Sequence, residues 1–343
     1  MGSAPGLPAT PQVVVTRTPL RVSFAGGGTD LAAFYERDYG AVFSMTITSY
    51  IYVTVKRHSP LFNEPIRLNY SQSEEVNEID EIQNDIAREC LRLLGIEPPI
   101  YISTVGDHPA SSGLGGSSSF AVGLLHALHT FKGERVSAAQ LAEEASHIEI
   151  DVLGWPIGKQ DQYAAAFGGL NLFVFQPGGG VTLQPEQMSS EATRAFFDSL
   201  IMFWTGHQRD SKVVLAEQKG RLLEVEDSLL RMREHAHALH RLFQRNGKPI
   251  DAAVFGRTLD ESWRLKRDLA STITTSQIDA WYEAAVTAGA YGGKLCGAGG
   301  GGCLLFVVDP ARRDDVRQAL SELMEVPLGY EARGSRVLLP LEY

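Results

Sequence analysis

The sequence predicts a protein of mixed helices and strands, α+β or α/β, in two domains or one large one. Three observations carry this. At 343 residues the chain exceeds what one small core holds. With 44% hydrophobic and 21% charged residues it has the make-up of an ordinary globular protein, able to bury its cores without disulfide or metal staples. Strand-like and helix-like segments alternate in both halves. We expect a disordered lead-in over 1–12, a first domain over 13–195 and a second over 196–343.

VVVTRTPLRVSFAGG (13–27) is rich in β-branched residues and reads as strand, turn, strand. AVFSMTITSYIYVTVKR (41–57) reads as two further strand-length pieces. NDIARECLRLLG (84–95) has helical spacing with Gly95 as its C-cap, and IYISTVGD (100–107) is a strand. SSFAVGLLHALHTF (118–131) and SAAQLAEEASHIEIDVLG (137–154) are helices, the second capped by Ser137. GGLNLFVFQPGGG (168–180) is a strand and glycine turn. SLIMFWTG (199–206) is an apolar strand opening the second half. Charged helices follow at 211–244, 251–269 and 276–288, then a glycine-rich segment at 292–309, a helix near 311–324 and a closing strand near 335–340. No fixed-period repeat or heptad seam is present.

The net charge is −10, from 31 Lys and Arg against 41 Asp and Glu. Such a chain is a poor general nucleic-acid binder, because duplex binding is dominated by basic contacts to phosphate. Cys90, Cys296 and Cys303 form neither a disulfide framework nor a paired zinc motif, and read as reduced thiols of a cytosolic protein. The opening MGSAPGLPATPQ lacks the regions of a signal peptide, and no apolar stretch approaches the roughly 20 residues that span a bilayer. The expected location is cytoplasmic, with no nucleic-acid or membrane partner. A homodimer is left open.

Three glycine-rich stretches stand out: AGGGTD (25–30), SSGLGGSSS (111–119) and GAGGGGC (297–303). Each is joined tightly to a strand or helix pattern, as a linker has no reason to be. The middle one lies between a strand and a helix start. There glycines let backbone N–H groups approach a ligand, and the first helical turn leaves N–H groups unpaired at the positive end of its dipole. That geometry cradles phosphate. It is not a P-loop, having no Gly-Lys-Ser/Thr, nor the dinucleotide fingerprint G-x-G-x-x-G, which disfavours an oxidoreductase.

PASSGLGGSSSF (109–120) resembles the phosphate-binding motif of the GHMP small-molecule kinases. TPLRVSFAGGGTDL (18–31) and KLCGAGGGGCLLF (294–306) resemble the family's N- and C-terminal motifs, and the likeness spans about 13–340. Within the family, IGKQDQYAAAFGG (157–169) and TGHQRDSKVVLAEQ (205–218) are most similar to the bacterial kinases of D-glycero-D-manno-heptose 7-phosphate that act at the anomeric position. The resemblance implies an α+β fold, with an N-terminal ribosomal-S5-like domain and a C-terminal ferredoxin-like domain. It implies ATP- and Mg²⁺-dependent phosphorylation of the sugar phosphate at O1. A kinase of an unphosphorylated sugar, fucokinase- or galactokinase-like, is the alternative.

The same resemblance implies roles. Pro109, Ser112, Gly113, Leu114, Gly115, Gly116, Ser117 and Ser118 would bind ATP, with Gly116 and Ser118 departing from the serine and alanine of many relatives. Asp161 would be the base for the anomeric hydroxyl, against the plainer reading of a helix-capping Asp. Arg21 would stabilise the transferring phosphoryl group, against that of a strand-edge surface residue. Ser117 and Glu149 would hold Mg²⁺, although Glu149 to Asp161 is one residue longer than in mevalonate kinase; Asp151 is the fallback. Gly26, Gly27, Gly28, Thr29 and Asp30 would meet the sugar, and Gly297, Ala298, Gly299 and Gly300 would close over it. Asp30 also reads as an N-cap. Lys159, Arg209 and Lys212 are the candidates for the substrate's own phosphate. His235, His237 and His240 read as a solvated helix face, and His126 and His129 as core-edge residues.

Overall fold

The computed structural model describes residues 13–208, 211–221, 224–244 and 250–339, without the side chains of 211–213, 218 and 219. The lead-in expected over 1–12 and Arg209 lie outside these residues, as does the side chain of Lys212.

The larger sheet is built from β1 (Val13–Ala25), β2 (Gly40–Arg57), β3 (Ile66–Asn69), β4 (Ser73–Val76), β5 (Ile100–Gly106), β6 (Leu170–Phe175) and β7 (Val181–Glu186). The smaller holds β8 (Leu200–Trp204), β9 (Ala290–Leu295), β10 (Cys303–Val308) and β11 (Met324–Glu325), in the order β11-β8-β10-β9. The last strand, β12 (Arg336–Leu339), returns to pair with β1. Residues at the chain's end, grouped by sequence with the second domain, are therefore hydrogen-bonded into the first sheet.

β1 and β2 are each one continuous strand rather than two. The register shifts at Pro19/Leu20 and Ser23/Ala25. Such irregularities bend a long strand without ending it, and a proline, lacking an N–H, is tolerated there. The bend lets the two ends of β2 serve different neighbours: Gly40–Met45 pair with β6 and Ile51–Arg57 with β5. They also serve different cores, with Phe43, Met45 and Ile47 in one and Val53 and Val55 in another.

The helices are α1 (Ala32–Tyr35), α2 (Asp85–Leu93), α3 (Gly116–Phe131), α4 (Ala138–Ser146), α5 (Gln160–Phe167), α6 (Ser190–Asp198), α7 (Ser211–Gly220), α8 (Glu226–Phe243), α9 (Ala252–Arg267), α10 (Ser276–Thr287) and α11 (Arg313–Ala319). One core lies between the larger sheet and α2–α5, with Leu124, Leu125 and Leu128 of α3 fully buried. A second joins the two halves of the chain: Leu20, Val22 and Phe24 pack with Ala236 and Leu239 of α8, Phe255 and Leu259 of α9, and Met202 and Leu305 of the smaller sheet. A third lies on that sheet's other face, against α10 and α11.

The histidines of α8 are not a solvated face. His240 is buried, with Nε2 2.7 Å from a Glu186 carboxylate oxygen, and His237 lies edge-on to Tyr39. The helix expected over 137–154 stops at Ser146 and continues as a π-helical turn, His147–Val152.

Candidate active site

A cavity of about 650 Å³ is lined by both halves of the chain. One wall is the loop between β5 and α3. Gly115, at φ +79°, caps α3 and makes no side-chain bond to the helix's first turn. Pro109, Ser112, Gly113, Gly115, Gly116, Ser117 and Ser118 all line the cavity. Leu114 does not: its side chain is in the second core, while its carbonyl accepts the Arg21 N–H at 2.9 Å. Ser111 holds φ +60°, a conformation costly for a residue with a side chain.

Arg21 joins this loop to Asp161. Its Nε donates to Asp161 Oδ1 and its Nη2 to Oδ2, both at 2.7 Å, and Nη1 donates to the Gly113 carbonyl at 2.7 Å. The guanidinium is buried, so Arg21 is not a surface residue, while the Asp161 carboxylate keeps 24% exposure, on the cavity side. Asp161 lies in the first turn of α5, where the helix dipole favours an anion, and its oxygens go to Arg21 rather than to a capping bond.

Glu149 is fully buried in the π-helical turn, a device that widens a helix by one residue and recurs at functional sites. Its Oε2 accepts from Gln162 Nε2 at 2.6 Å, and Oε1, near the Ser117 and Ser118 hydroxyls, makes no hydrogen bond of good geometry among the described residues. Burial pushes the carboxyl up to about 7, against the Ser118, Gln162 and Ser117 groups that favour its ionised form. Asp151 points elsewhere: it is exposed and bonded to His147 at 3.0 Å.

A second wall of the cavity is formed by Ser23, Gly27, Gly28, Asp30 and Gln160. Asp30 does not cap α1. Its Oδ1 accepts from the Gly28 N–H at 2.8 Å and its Oδ2 from Gln160 Nε2 at 3.0 Å. Burial, then the nearby Asp161, raise its pKa. Ser23 Oγ and Gln160 Oε1 are buried with no hydrogen-bond partner among the described residues. Gly26 and Thr29 stand behind this wall. A Cβ on Gly26 would lie 1.8 Å from the Ala41 carbonyl oxygen, and Thr29 Oγ1 bonds Gly26 and Ala41. Gly297, Ala298 and Gly299 line the cavity, whereas the N–H of Gly300 is turned to the Ile273 carbonyl at 2.7 Å.

Lys159 is a correction. Its ammonium leaves the cavity for Glu143 at 3.1 Å and the Gly179 carbonyl at 3.2 Å, beside a separate small cavity of about 170 Å³. Two other lysines, which sequence reasoning missed, line the main cavity: Lys266 of α9 and Lys294 of β9. Lys266 sits in the charged run RLKRD, which looks solvated. Lys294 had a signal, a lone cation in the apolar strand AYGGKL. The remaining end of the cavity, with Tyr70, Asn84, Thr104, His108, Phe120 and Trp155, draws on separate elements and has no local motif.

A cavity between two α/β halves, with a glycine-serine loop at a helix start on one wall and an Arg–Asp pair beside it, defines a class of phosphotransferase. The chain belongs to the GHMP kinases: residues 81–169 match the GHMP kinases N terminal domain and 237–326 the GHMP kinases C terminal. It is 31% identical over 326 residues to the D-glycero-alpha-D-manno-heptose 7-phosphate kinase of Campylobacter jejuni, covering 90% of this chain and 93% of that one. It is 25% identical over 342 residues to the galactokinase of Pyrococcus furiosus, covering 90% and 92%. The solved structure of a D-glycero-D-manno-heptose 1-phosphate kinase from Bacteroides thetaiotaomicron shares the fold, with a TM-score of 0.77 at 24% identity over 96% of this chain and 100% of that one. The protein is thus a sugar kinase of an ATP-using family. No helix among the described residues is long and apolar enough to cross a membrane.

Proposed function

We propose that the enzyme transfers the γ-phosphoryl group of ATP to the anomeric hydroxyl of D-glycero-D-manno-heptose 7-phosphate, giving a 1,7-bisphosphate for nucleotide-activated heptose and surface polysaccharide synthesis. The observation that carries the reaction is the two-bond Arg21–Asp161 pair at 2.7 Å, tied through Arg21 to the Gly113 carbonyl of the glycine loop. The substrate rests on the similarity to the Campylobacter jejuni enzyme.

In this reading the first-turn N–H groups of α3 and the hydroxyls of Ser117 and Ser118 receive the ATP phosphates. The O1 oxygen forms a bond to the γ-phosphorus as the bond to the bridging oxygen breaks, and ADP leaves. The O1 proton passes to the Asp161 carboxylate. A carboxylate suffices as acceptor, because the anomeric hydroxyl is unusually acidic for an alcohol and phosphoryl transfer draws little on base strength. Arg21 holds Asp161 in place and presents positive charge to the transferring group. Asp30 and Gln160 orient the sugar hydroxyls.

A divalent cation fits the residues present. The unpartnered buried Oε1 of Glu149, beside the Ser117 hydroxyl, is a hard oxygen donor set of the kind Mg²⁺ takes. Glu149 and Ser117 would hold it, and when bound it neutralises charge on the phosphates.

ADP release with ATP, Mg²⁺ and a panel of sugars tests the reading. The expected result is a kcat/KM for the heptose 7-phosphate at least about 100-fold above those for galactose, fucose and mannose. A preference for galactose or fucose would install the alternative, to which the galactokinase similarity lends support.

A further inference from the structure

Lys266 and Lys294 are cations of the cavity that the transfer just described leaves unused. Both are nearly inaccessible, 7% and 6% exposed, and both line the cavity with Arg21. Neither has a carboxylate partner among the described residues. Lys294 Nζ donates to the carbonyls of Ser23 at 2.5 Å and Phe24 at 3.2 Å. Lys266 Nζ donates to those of Gly297 and, at 3.4 Å, Leu295. Burying an ammonium without a counter-ion is unfavourable, and carbonyl dipoles offset only part of that. Burial pushes both groups toward the neutral form, Lys294 to about 8. The neighbouring charge of Arg21, and that of Lys294 on Lys266, pushes the same way. A dianion between them would reverse each of these effects.

The surroundings say which dianion. The ATP phosphates already have the start of α3, with Ser117 and Glu149, to receive them. Lys294 is anchored by the carbonyls at the end of β1, the strand that runs directly into the Gly27–Asp30 acceptor wall. Ser23, whose carbonyl holds Lys294, also carries the buried hydroxyl without a partner. Of the three residues that sequence reasoning assigned to the substrate's phosphate, Lys159 faces another cavity and the side chains of Arg209 and Lys212 are outside the described residues.

We infer that Lys266 and Lys294, with the Ser23 hydroxyl, form the seat for a phosphate monoester carried by the acceptor sugar away from the hydroxyl that reacts. This rests on the reading of the acceptor as a sugar phosphate. The two lysines then determine specificity: they distinguish a phosphorylated from an unphosphorylated sugar and leave nucleotide binding to the start of α3.

The test measures kcat and KM for K266M, K294M, K266R and K294R with D-glycero-D-manno-heptose 7-phosphate and with unphosphorylated D-glycero-D-manno-heptose. ADP binding by calorimetry verifies each fold, and the arginine variants carry the test where a methionine variant does not fold. The expected result is a KM for the phosphorylated sugar raised roughly 10–100-fold in the methionine variants. Their preference for it over the unphosphorylated sugar falls at least about tenfold, the arginine variants keep part of it, and the KM for ATP moves less than about threefold. An equal loss on both sugars, or a raised KM for ATP, overturns the seat while leaving the wild-type substrate assignment standing. A wild type that phosphorylates only unphosphorylated sugars overturns the substrate reading itself, and the seat with it.

Discussion

At the scale of the residue, the account rests on Asp161, Arg21 and Glu149. D161N removes the proton acceptor and is expected to lower kcat by about 10²–10⁴ with little change in ADP affinity, measured by steady-state kinetics and calorimetry. R21K keeps a charge but not the two-bond geometry with Asp161, and should lose on the order of 10² in kcat. Glu149 links function to stability. Its carboxyl is shifted from an ordinary 4.5 to about 7, mainly by burial. Between those pH values the unfolded chain has released this proton while the folded one retains it, so stability falls as pH rises through the window. In EDTA, E149Q should remove that slope and melt higher than wild type above pH 7, yet lose on the order of 100-fold in activity with Mg²⁺. Thermal melts across pH 4–8 check the first, and kinetics the second.

At the scale of the element, the two glycine loops are built back to back. A Cβ on Gly113, at φ +80°, would lie 2.5 Å from the Cys296 carbonyl oxygen, and one on Gly297 would lie 2.5 Å from the Gly113 Cα. G113A must therefore move the loop between β5 and α3, and is expected to cost about 1–3 kcal/mol and raise the KM for ATP. Gly116 meets nothing within 4 Å and has no positive φ. G116A should leave the melting temperature unchanged, because the added methyl group meets open space. These loops were legible in the sequence because glycine runs joined to a strand or a helix start report a local conformation. The breaks expected within β1 and β2 are instead a register shift at Pro19/Leu20, where continuous strands carry an irregularity rather than an end. The π-helical turn that carries Glu149 has no such local signature.

At the scale of the molecule, the second core and β12 bind the halves of the chain together. Ser335, just before β12, shares a hydrogen bond with Thr18 at 2.8 Å and another with His126 at 3.0 Å, and Tyr330 bridges to Ile47. Ending the chain after Val326 would bare the outer edge of β1. It should lower the melting temperature by several degrees and promote aggregation, read by calorimetry and light scattering. The α+β class, the motif order and the Arg21, Asp161, Glu149 and Ser117 positions were accessible from sequence, since each sits in or near a recognisable segment. Lys266, Lys294 and the Tyr70–Trp155 end were not, because they meet only through long-range packing of segments far apart in the chain.

The most direct test of the central claim is a ³¹P NMR spectrum of the wild-type protein with ATP, Mg²⁺ and D-glycero-D-manno-heptose 7-phosphate. The account predicts a new phosphomonoester resonance coupled to the anomeric proton, growing in step with ADP while the 7-phosphate signal persists. ADP formation with the new phosphate on any other carbon, or no new phosphomonoester at all, would contradict it.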